Sequence, residues 1–260
     1  MMRSLATAKT GLEAQQTQLD AITHNLANGS THGYKRAHVV FEDLMYQSIR
    51  QAGAPDTQQT QLPTGLQLGT GVRAVATARN FSQGAINSTG NPLDLAINGA
   101  GFFQVQQPDG SLAYTRDGSF QVDAQGQLVN SNGLAVSPGI TIPATATGVT
   151  IGRDGIVTAQ MPGATAPQQI GQIQLAYFTN PAGLDPRGGN LYAETAASGN
   201  PQTGNPGSPG LGVIHQAAVE GSNVNIVEEL VAMIQTQRAY EVNSKAIQTS
   251  DQMLARLAQL

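Results

Sequence analysis

The stretch from Asn225 to Leu260 limits what this chain can become, because it is a long segment with a sustained helical period and no Gly or Pro. Met233, Tyr240, Ile247 and Leu254 recur every seven residues, flanked by Leu230, Ile234 and Leu257, which gives a long helix one apolar face. Asn225 or Ser222 stands where a cap would, and Glu228 follows Asn225 at capping-box spacing. Glu228 and Glu229 suit the positive end of the helix dipole.

A matching stripe, Leu5, Leu12, Leu19 and Leu26, runs through the other end of the chain. The positions that alternate with these in a coiled-coil seam are weak: Ala8, Gln15 and Ile22 in the first helix, Gln237, Ser244 and Asp251 in the last. Burying an aliphatic side chain contributes roughly 1.5 to 3 kcal/mol, whereas fixing one residue's backbone costs about 1 to 2 kcal/mol. Two half-seams are therefore marginal. Either the ends form a helical hairpin within one chain, or they are poorly ordered alone and finish folding when other copies supply the missing burial.

At 260 residues with 40% hydrophobic content there is enough material for a core. Charged residues make up only 12%, about half the usual share. A net charge of -4 and no Lys/Arg cluster argue against nucleic acid or an anionic membrane as partner. There is no Cys, hence no disulfide or thiolate chemistry. The N-terminus has Arg3 and Lys9 but no apolar run, so it is neither a cleaved signal peptide nor a membrane span.

In chain order, residues 3 to 28 predict the first helix, blemished by Gly11 and stopped by Asn28-Gly29-Ser30. Phe41, Leu44, Met45 and Ile49 suggest a strand running into a short helix, or one helical arm. From Gln51 to Gly71, Pro55, Pro63, Gly65, Gly69 and Gly71 stand in Gln- and Thr-rich sequence, which reads as an extended linker or a long hairpin arm. From Val72 to Glu220 short β-branched and aromatic runs are separated by Asp109-Gly110, Asp117-Gly118, Gln125-Gly126, Asn132-Gly133 and Asp154-Gly155, residues that supply the positive φ of tight hairpins. Asn180 to Gly212 reads as surface loops. The expected fold class is α+β. N- and C-terminal helices pair as a coiled-coil-like domain beside a central antiparallel β domain and an extended arm. The divisions are 1–45 (first helix and following segment, paired with 221–260), 46–71 (arm), 72–220 (β) and 221–260 (last helix).

Candidate chemistry is thin. His24, His32, His38 and His215 lack metal-ligand spacing. Asn98-Gly99-Ala100-Gly101 opens into the strand Phe102-Phe103 and not into a helix, which fails the context of a phosphate loop. Asp94, Asp109, Asp117, Asp123 and Asp154 offer carboxylate pairs for glycoside hydrolysis, but turn formation explains them better. No catalytic, cofactor or metal residues are expected.

Asn25-Leu26-Ala27-Asn28, followed by Thr31, Gly33, Tyr34 and Lys35, resembles the N-terminal signature shared by bacterial flagellar rod and hook proteins. Gln237-Arg238-Ala239-Tyr240-Glu241, Asn243-Ser244-Lys245 and Asp251-Gln252-Met253-Leu254 are similar to that family's C-terminal helix. Ala96-Ile97-Asn98-Gly99, Gly101-Phe102-Phe103 and Tyr114-Thr115-Arg116-Asp117-Gly118-Ser119-Phe120 are similar to its central β domain. The resemblance covers nearly the whole chain. The length, Phe41-Glu42-Asp43-Leu44, Gln47, Arg50-Gln51 and the stretch from Leu62-Pro63-x-Gly65-Leu66 to Gly69-x-Gly71-Val72-Arg73 resemble the distal rod members in particular. Gly29 departs from the pattern, since a larger apolar residue is usual there.

The resemblance implies a helical homopolymer, a tube lined by the terminal helices with the β domain outside. It also implies export, unfolded and without a cleaved signal, by the flagellar type III apparatus. Implied neighbours are proximal rod proteins, the hook protein, and the P-ring and L-ring proteins as a bushing in which the rod turns while carrying torque through the periplasm. No nucleic acid, small-molecule substrate or cofactor is implied. Leu5, Leu12, Leu19, Leu26, Leu230, Met233, Tyr240, Ile247 and Leu254 are the expected helix-packing and polymer contacts. Leu62, Pro63, Gly65, Leu66 and Gly69 belong to an arm expected to stiffen the tube. The competing readings are a hook or proximal-rod protein of the same family, and a secreted carbohydrate-binding β domain.

Overall fold

A computed structural model describes residues 2–51, 64–163 and 166–257; the side chains of residues 2–4, Leu254 and Leu257 lie outside the description. The chain forms two units, one of residues 1–27, 37–79 and 225–260, the other of residues 28–36 and 80–224.

The first unit is built on two helices, α1 (Met2–Ala27) and α2 (Ile226–Leu257). Asn225 caps α2, its Oδ1 accepting the Val227 N–H at 3.1 Å, while its side-chain amide donates to Glu228 Oε1 at 3.1 Å. The spacing predicts this cap, although Glu228 meets the side chain of Asn225 and not its backbone. Between the helices in sequence come β1 (Ala37–Asp43), β2 (Tyr46–Arg50), β3 (Leu66–Gly69) and β4 (Val72–Arg79). β1 pairs antiparallel with β4 and β2 with β3, making a two-stranded ribbon that packs on α1 through β1 and β4. The helix expected around Leu44 to Ile49 is absent. Tyr46 to Arg50 instead take strand partners from Gly69 to Leu66, which fits the hairpin alternative for the arm. Residues 52–63 of that arm lie outside the described residues.

The second unit is antiparallel β. Its largest sheet orders the strands Asp185–Gly188, Leu191–Ala193, Leu112–Thr115, Phe102–Gln106, Leu175–Tyr177 and Gln202–Gly204. Successive side chains of a strand point to opposite faces, so Phe103 enters one core and Phe102 another. Phe103 joins Leu95, Ile97, Phe120, Ile173, Leu175 and Ile214. Phe102 joins Tyr114, Phe178 and Tyr192, with Phe81 packed edge-to-face on Phe102 at 5.5 Å. Of the expected turn glycines, Gly110, Gly126, Gly133 and Gly155 have positive φ. Gly118 does not. A Cβ there would overlap the carbonyl of Leu95, so close approach is what requires it.

Candidate assembly surface and the roots of the helices

Two contacts set the register of the helix pair. A Cβ on Gly11 would lie 3.2 Å from Asn243 Nδ2, and Asn25 Nδ2 donates to Glu229 Oε2 at 3.4 Å. Equal lengths of helix separate Gly11 from Asn25 and Glu229 from Asn243, so the helices run antiparallel in constant register with Gln18 and Thr236 midway. Buried Asn25, Glu229 and Thr236 lie along this line. Gly11, a blemish by propensity, thus gives room where α2 comes near.

On α1 the packed line runs beside the seven-residue stripe, whereas on α2 Met233, Tyr240 and Ile247 follow Glu229, Thr236 and Asn243 of the line by four residues each. Leu5, Leu12, Leu19 and Leu26 are half-buried, whereas Ile22, at a position expected to be weak, is only 2% exposed. On α2 Met233 and Ile247 are half-buried, Leu230 and Tyr240 remain 43% and 39% exposed, and the side chain of Leu254 lies outside the described residues. The line itself is made of small and polar residues, with Ile22 the most buried aliphatic of α1. Ile226, Val227, Leu230, Val231 and Ile234 recur at helical spacing on the side of α2 away from Glu229 and Thr236, all of them exposed. The ribbon adds exposed Met45, Tyr46, Ile49, Leu66 and Leu68, and β3 holds Leu66 and Gly69. Gly65 precedes it; Leu62 and Pro63 lie outside the described residues.

The N-terminal signature divides between the two units. In the helical unit Asn25 uses its whole amide. Its Oδ1 accepts the Ala37 N–H at 2.9 Å and its Nδ2 donates to Ala37 O at 2.7 Å, which pins the start of β1 to α1. Leu26 and Ala27 complete the helix.

Asn28, Thr31, Gly33, Tyr34 and Lys35 belong to the β unit. Thr31 N–H donates to Asn28 O at 3.2 Å, closing the turn. Gly33 has φ +67°, its N–H donates to Glu220 O at 2.8 Å, and a Cβ would overlap the backbone of Arg116 and Asp117. Only glycine meets both demands. Tyr34 is buried behind it.

Lys35 then places its ammonium in the interior, 2.6 Å from Glu220 Oε1 and 2.8 Å from Ser82 O, with both charged side chains fully buried. Arg116 approaches the other oxygen, Glu220 Oε2, at 3.1 Å, donates to Gly99 O at 2.7 Å, and lies over the Phe102 ring at 5.5 Å. Gly84 N–H completes the set at 2.9 Å from Glu220 Oε1. Burial holds both the Lys35 ammonium and the Arg116 guanidinium below their usual range, and Glu220 opposes that shift in each case. Sequence reasoning named Lys35 and, within a β-domain stretch, Arg116. It missed Glu220, which carries no local signal.

The polar residues weighed for chemistry are spent on local structure. Asp109 and Asp117 accept from Ser111 and Ser119, Asp123 from the Gln125 and Gln127 amides, Asp154 from the Ile156 amide, and Asp94 from Thr89 and Asn91. Gly99 N–H donates to Gln83 Oε1 and Ala100 O accepts from Gly212, so the Gly-x-Gly loop is a packing corner. Among the described residues no group of three or more His, Asp or Glu could hold a metal ion, and no helix is long and apolar enough to cross a membrane.

Comparison with known proteins agrees along the whole chain. Residues 5–35 match the family described as "Flagella basal body rod protein", residues 96–159 the "Flagellar hook protein FlgE/F/G D1 domain", and residues 215–260 the "Flagellar basal body rod FlgEFG protein C-terminal". A flagellar basal-body rod protein FlgG of Buchnera aphidicola subsp. Schizaphis graminum is 57% identical, covering 100% of both chains. That of Borreliella burgdorferi is 48% identical over 98% of this chain and 97% of its own. That of Caulobacter vibrioides is 47% identical over 100% and 99%.

Proposed function

The chain belongs to the family of flagellar basal-body rod proteins FlgG, structural subunits of the distal rod, and from that premise we propose how its copies build and use the rod. Copies stack into a rigid helical tube through the terminal helices, whose pairing is coiled-coil-like in the tube, with the β unit on the outside. The tube carries torque through the periplasm from motor to hook. It joins proximal rod proteins at one end and the hook protein at the other, and turns inside the P-ring and L-ring as a bushing. The flagellar type III apparatus exports the chain unfolded, with no signal removed. The role is mechanical, with no reaction catalysed.

The observation that carries this reading is the aliphatic face Ile226, Val227, Leu230, Val231 and Ile234, exposed beside an already paired helix. Contiguous apolar surface of this kind marks an interface, and a surface with 12% charged residues opposes close stacking little. Replacing Ile234 by Asp puts an unpaired charge into that face, and replacing Tyr240 by Asp puts one on the side of α2 that carries Glu229 and Thr236. Purified chain should form tubes visible by electron microscopy, and Ile234→Asp and Tyr240→Asp should not, while circular dichroism still reports a folded β unit. Normal tubes from both variants would remove the helix contact from the reading.

The ribbon supports a second element of the same function. A lone two-stranded hairpin is marginal in water, yet β2 and β3 leave Tyr46, Ile49, Leu66 and Leu68 exposed. As an arm braced against neighbouring copies it gains that burial and hinders the sliding that bending needs. Deleting residues 52–68 should leave polymerisation intact and give a more bendable or curved tube; straight tubes of unchanged stiffness would refute the bracing.

A further inference from the structure

Burying one carboxylate between two cations is a weak way to stabilise a fold and a strong way to specify one arrangement. Apolar residues of similar volume often stabilise as well, whereas a buried charge that loses its partner is costly. The arrangement specified here concerns two places far apart in sequence. Lys35 lies shortly after the end of α1 and Glu220 shortly before the start of α2. Around them Asn223 ties the same passes of chain. Its Oδ1 accepts the Arg36 N–H at 2.7 Å, and its Nδ2 lies 2.8 Å from Asn80 O and 3.1 Å from Ser82 O. Gly33 N–H reaches Glu220 O, Asn80 N–H reaches Arg36 O at 2.8 Å, and Gly221 N–H reaches Ala85 O at 2.7 Å. Residues 33–36, 80–85 and 220–223 are thus knitted inside the β unit around Glu220.

We propose that this knot is a root clamp, which holds the entry points of both terminal segments together before the helices pair and so sets where assembly-competent pairing begins. The proposal rests on the rod-assembly reading and adds the step that precedes it. With the clamp closed, only short segments separate each helix from an anchored point. With it open, α1 remains tied to the β unit only through residues 37–79. Effective concentration falls roughly as the −3/2 power of tether length, so loss of the clamp lowers the chance of helix encounter about tenfold.

The test is hydrogen exchange on the soluble full-length chain together with assembly kinetics. In the unaltered chain the amides of Gly33, Arg36, Gly84 and Gly221 should exchange as slowly as those of the strands Leu95–Asn98 and Phe102–Gln106, and more slowly than those of α1 and α2. Glu220→Ala can fail to fold, because it strands two buried cations; Asn223→Ala removes hydrogen bonds and no charge. Asn223→Ala should keep the circular dichroism of the β unit, raise exchange across residues 28–36 at least tenfold, and slow the onset of polymerisation about tenfold at equal concentration. Residues 28–36 exchanging as fast as α1 in the unaltered chain would overturn the clamp. So would raised exchange in Asn223→Ala with an unchanged assembly rate. If the unaltered chain forms no polymer, the rod-assembly reading falls, and the exchange contrast alone still decides whether the clamp exists.

Discussion

The β unit and the helical unit use similar apolar residues to opposite ends. In the β unit Leu95, Phe103, Val157, Ile173, Leu175 and Phe178 have no exposed surface, and aromatic rings meet edge-to-face at 4.7 to 6.1 Å. In α2 the aliphatics of the first turns face water, and the intrachain contact passes to Glu229, Thr236 and Asn243. One unit closes its core within a single chain; the other leaves aliphatic residues of α2 exposed, which the proposed assembly would cover. The stability of the first should not depend on protein concentration, and that of the second should.

The largest effect that tests this contrast is Phe103→Ala, expected to cost about 3 to 5 kcal/mol in the dilute chain by leaving a cavity. Ile234→Ala or Val231→Ala should change the same urea transition by less than about 0.5 kcal/mol, as exposed sites do. Comparable losses at both places would erase the distinction between a closed and an open core.

A smaller effect concerns alkaline pH. Burial, assisted by Glu194, pushes the Tyr114 phenol from its usual 10.0 up to about 12. The folded state therefore holds this proton more tightly than the unfolded state. Its contribution is complete below pH 10 and is lost as pH rises through 12. Urea midpoints of the β unit should fall across that window by an amount equivalent to about 1 to 3 kcal/mol, and Tyr114→Phe should flatten this part of the profile. An unchanged slope would place the alkaline transition elsewhere, including in the helices.

The smallest expected change is a gain. Ala217 adopts φ 60° between the strands Val213–Gln216 and Ala218–Glu220, a conformation that costs a residue with a Cβ about 1 to 2 kcal/mol. Ala217→Gly relieves this but loses part of the gain to chain entropy. A net stabilisation below about 1 kcal/mol is expected, confined to the β unit in exchange experiments.

What the sequence made legible follows from how far each signal reaches. The two helices, the Asn225 cap and the Asp-Gly and Asn-Gly turns depend on residues a few positions apart, and their spacing displays them. Pairing of Lys35 with Glu220 spans 185 residues with no periodic mark, so Glu220 was invisible until the fold brought it to the signature loop. The seven-residue stripe of α1 runs beside the packed line for a related reason. Apolar periodicity reports apolar surface whatever it packs against, whereas the intrachain line runs through Gly11, Asn25, Thr236 and Asn243, residues that a hydrophobic pattern passes over. In the arm, Leu44 to Ile49 fit a helix or a strand equally well, and β2 was decided by its partner β3 across a stretch of chain that sets no local preference.

The chain passes between its two units four times, after Ala27, Arg36, Arg79 and Val224. At two of these passages the chain is paired within each unit: Ala37 stands opposite Arg79 in the helical unit, and the Asn80 N–H donates to Arg36 O in the β unit. Neither unit is therefore a continuous length of chain, and a truncation that removes one terminal helix takes away part of the helical unit while leaving the residues of the β unit complete.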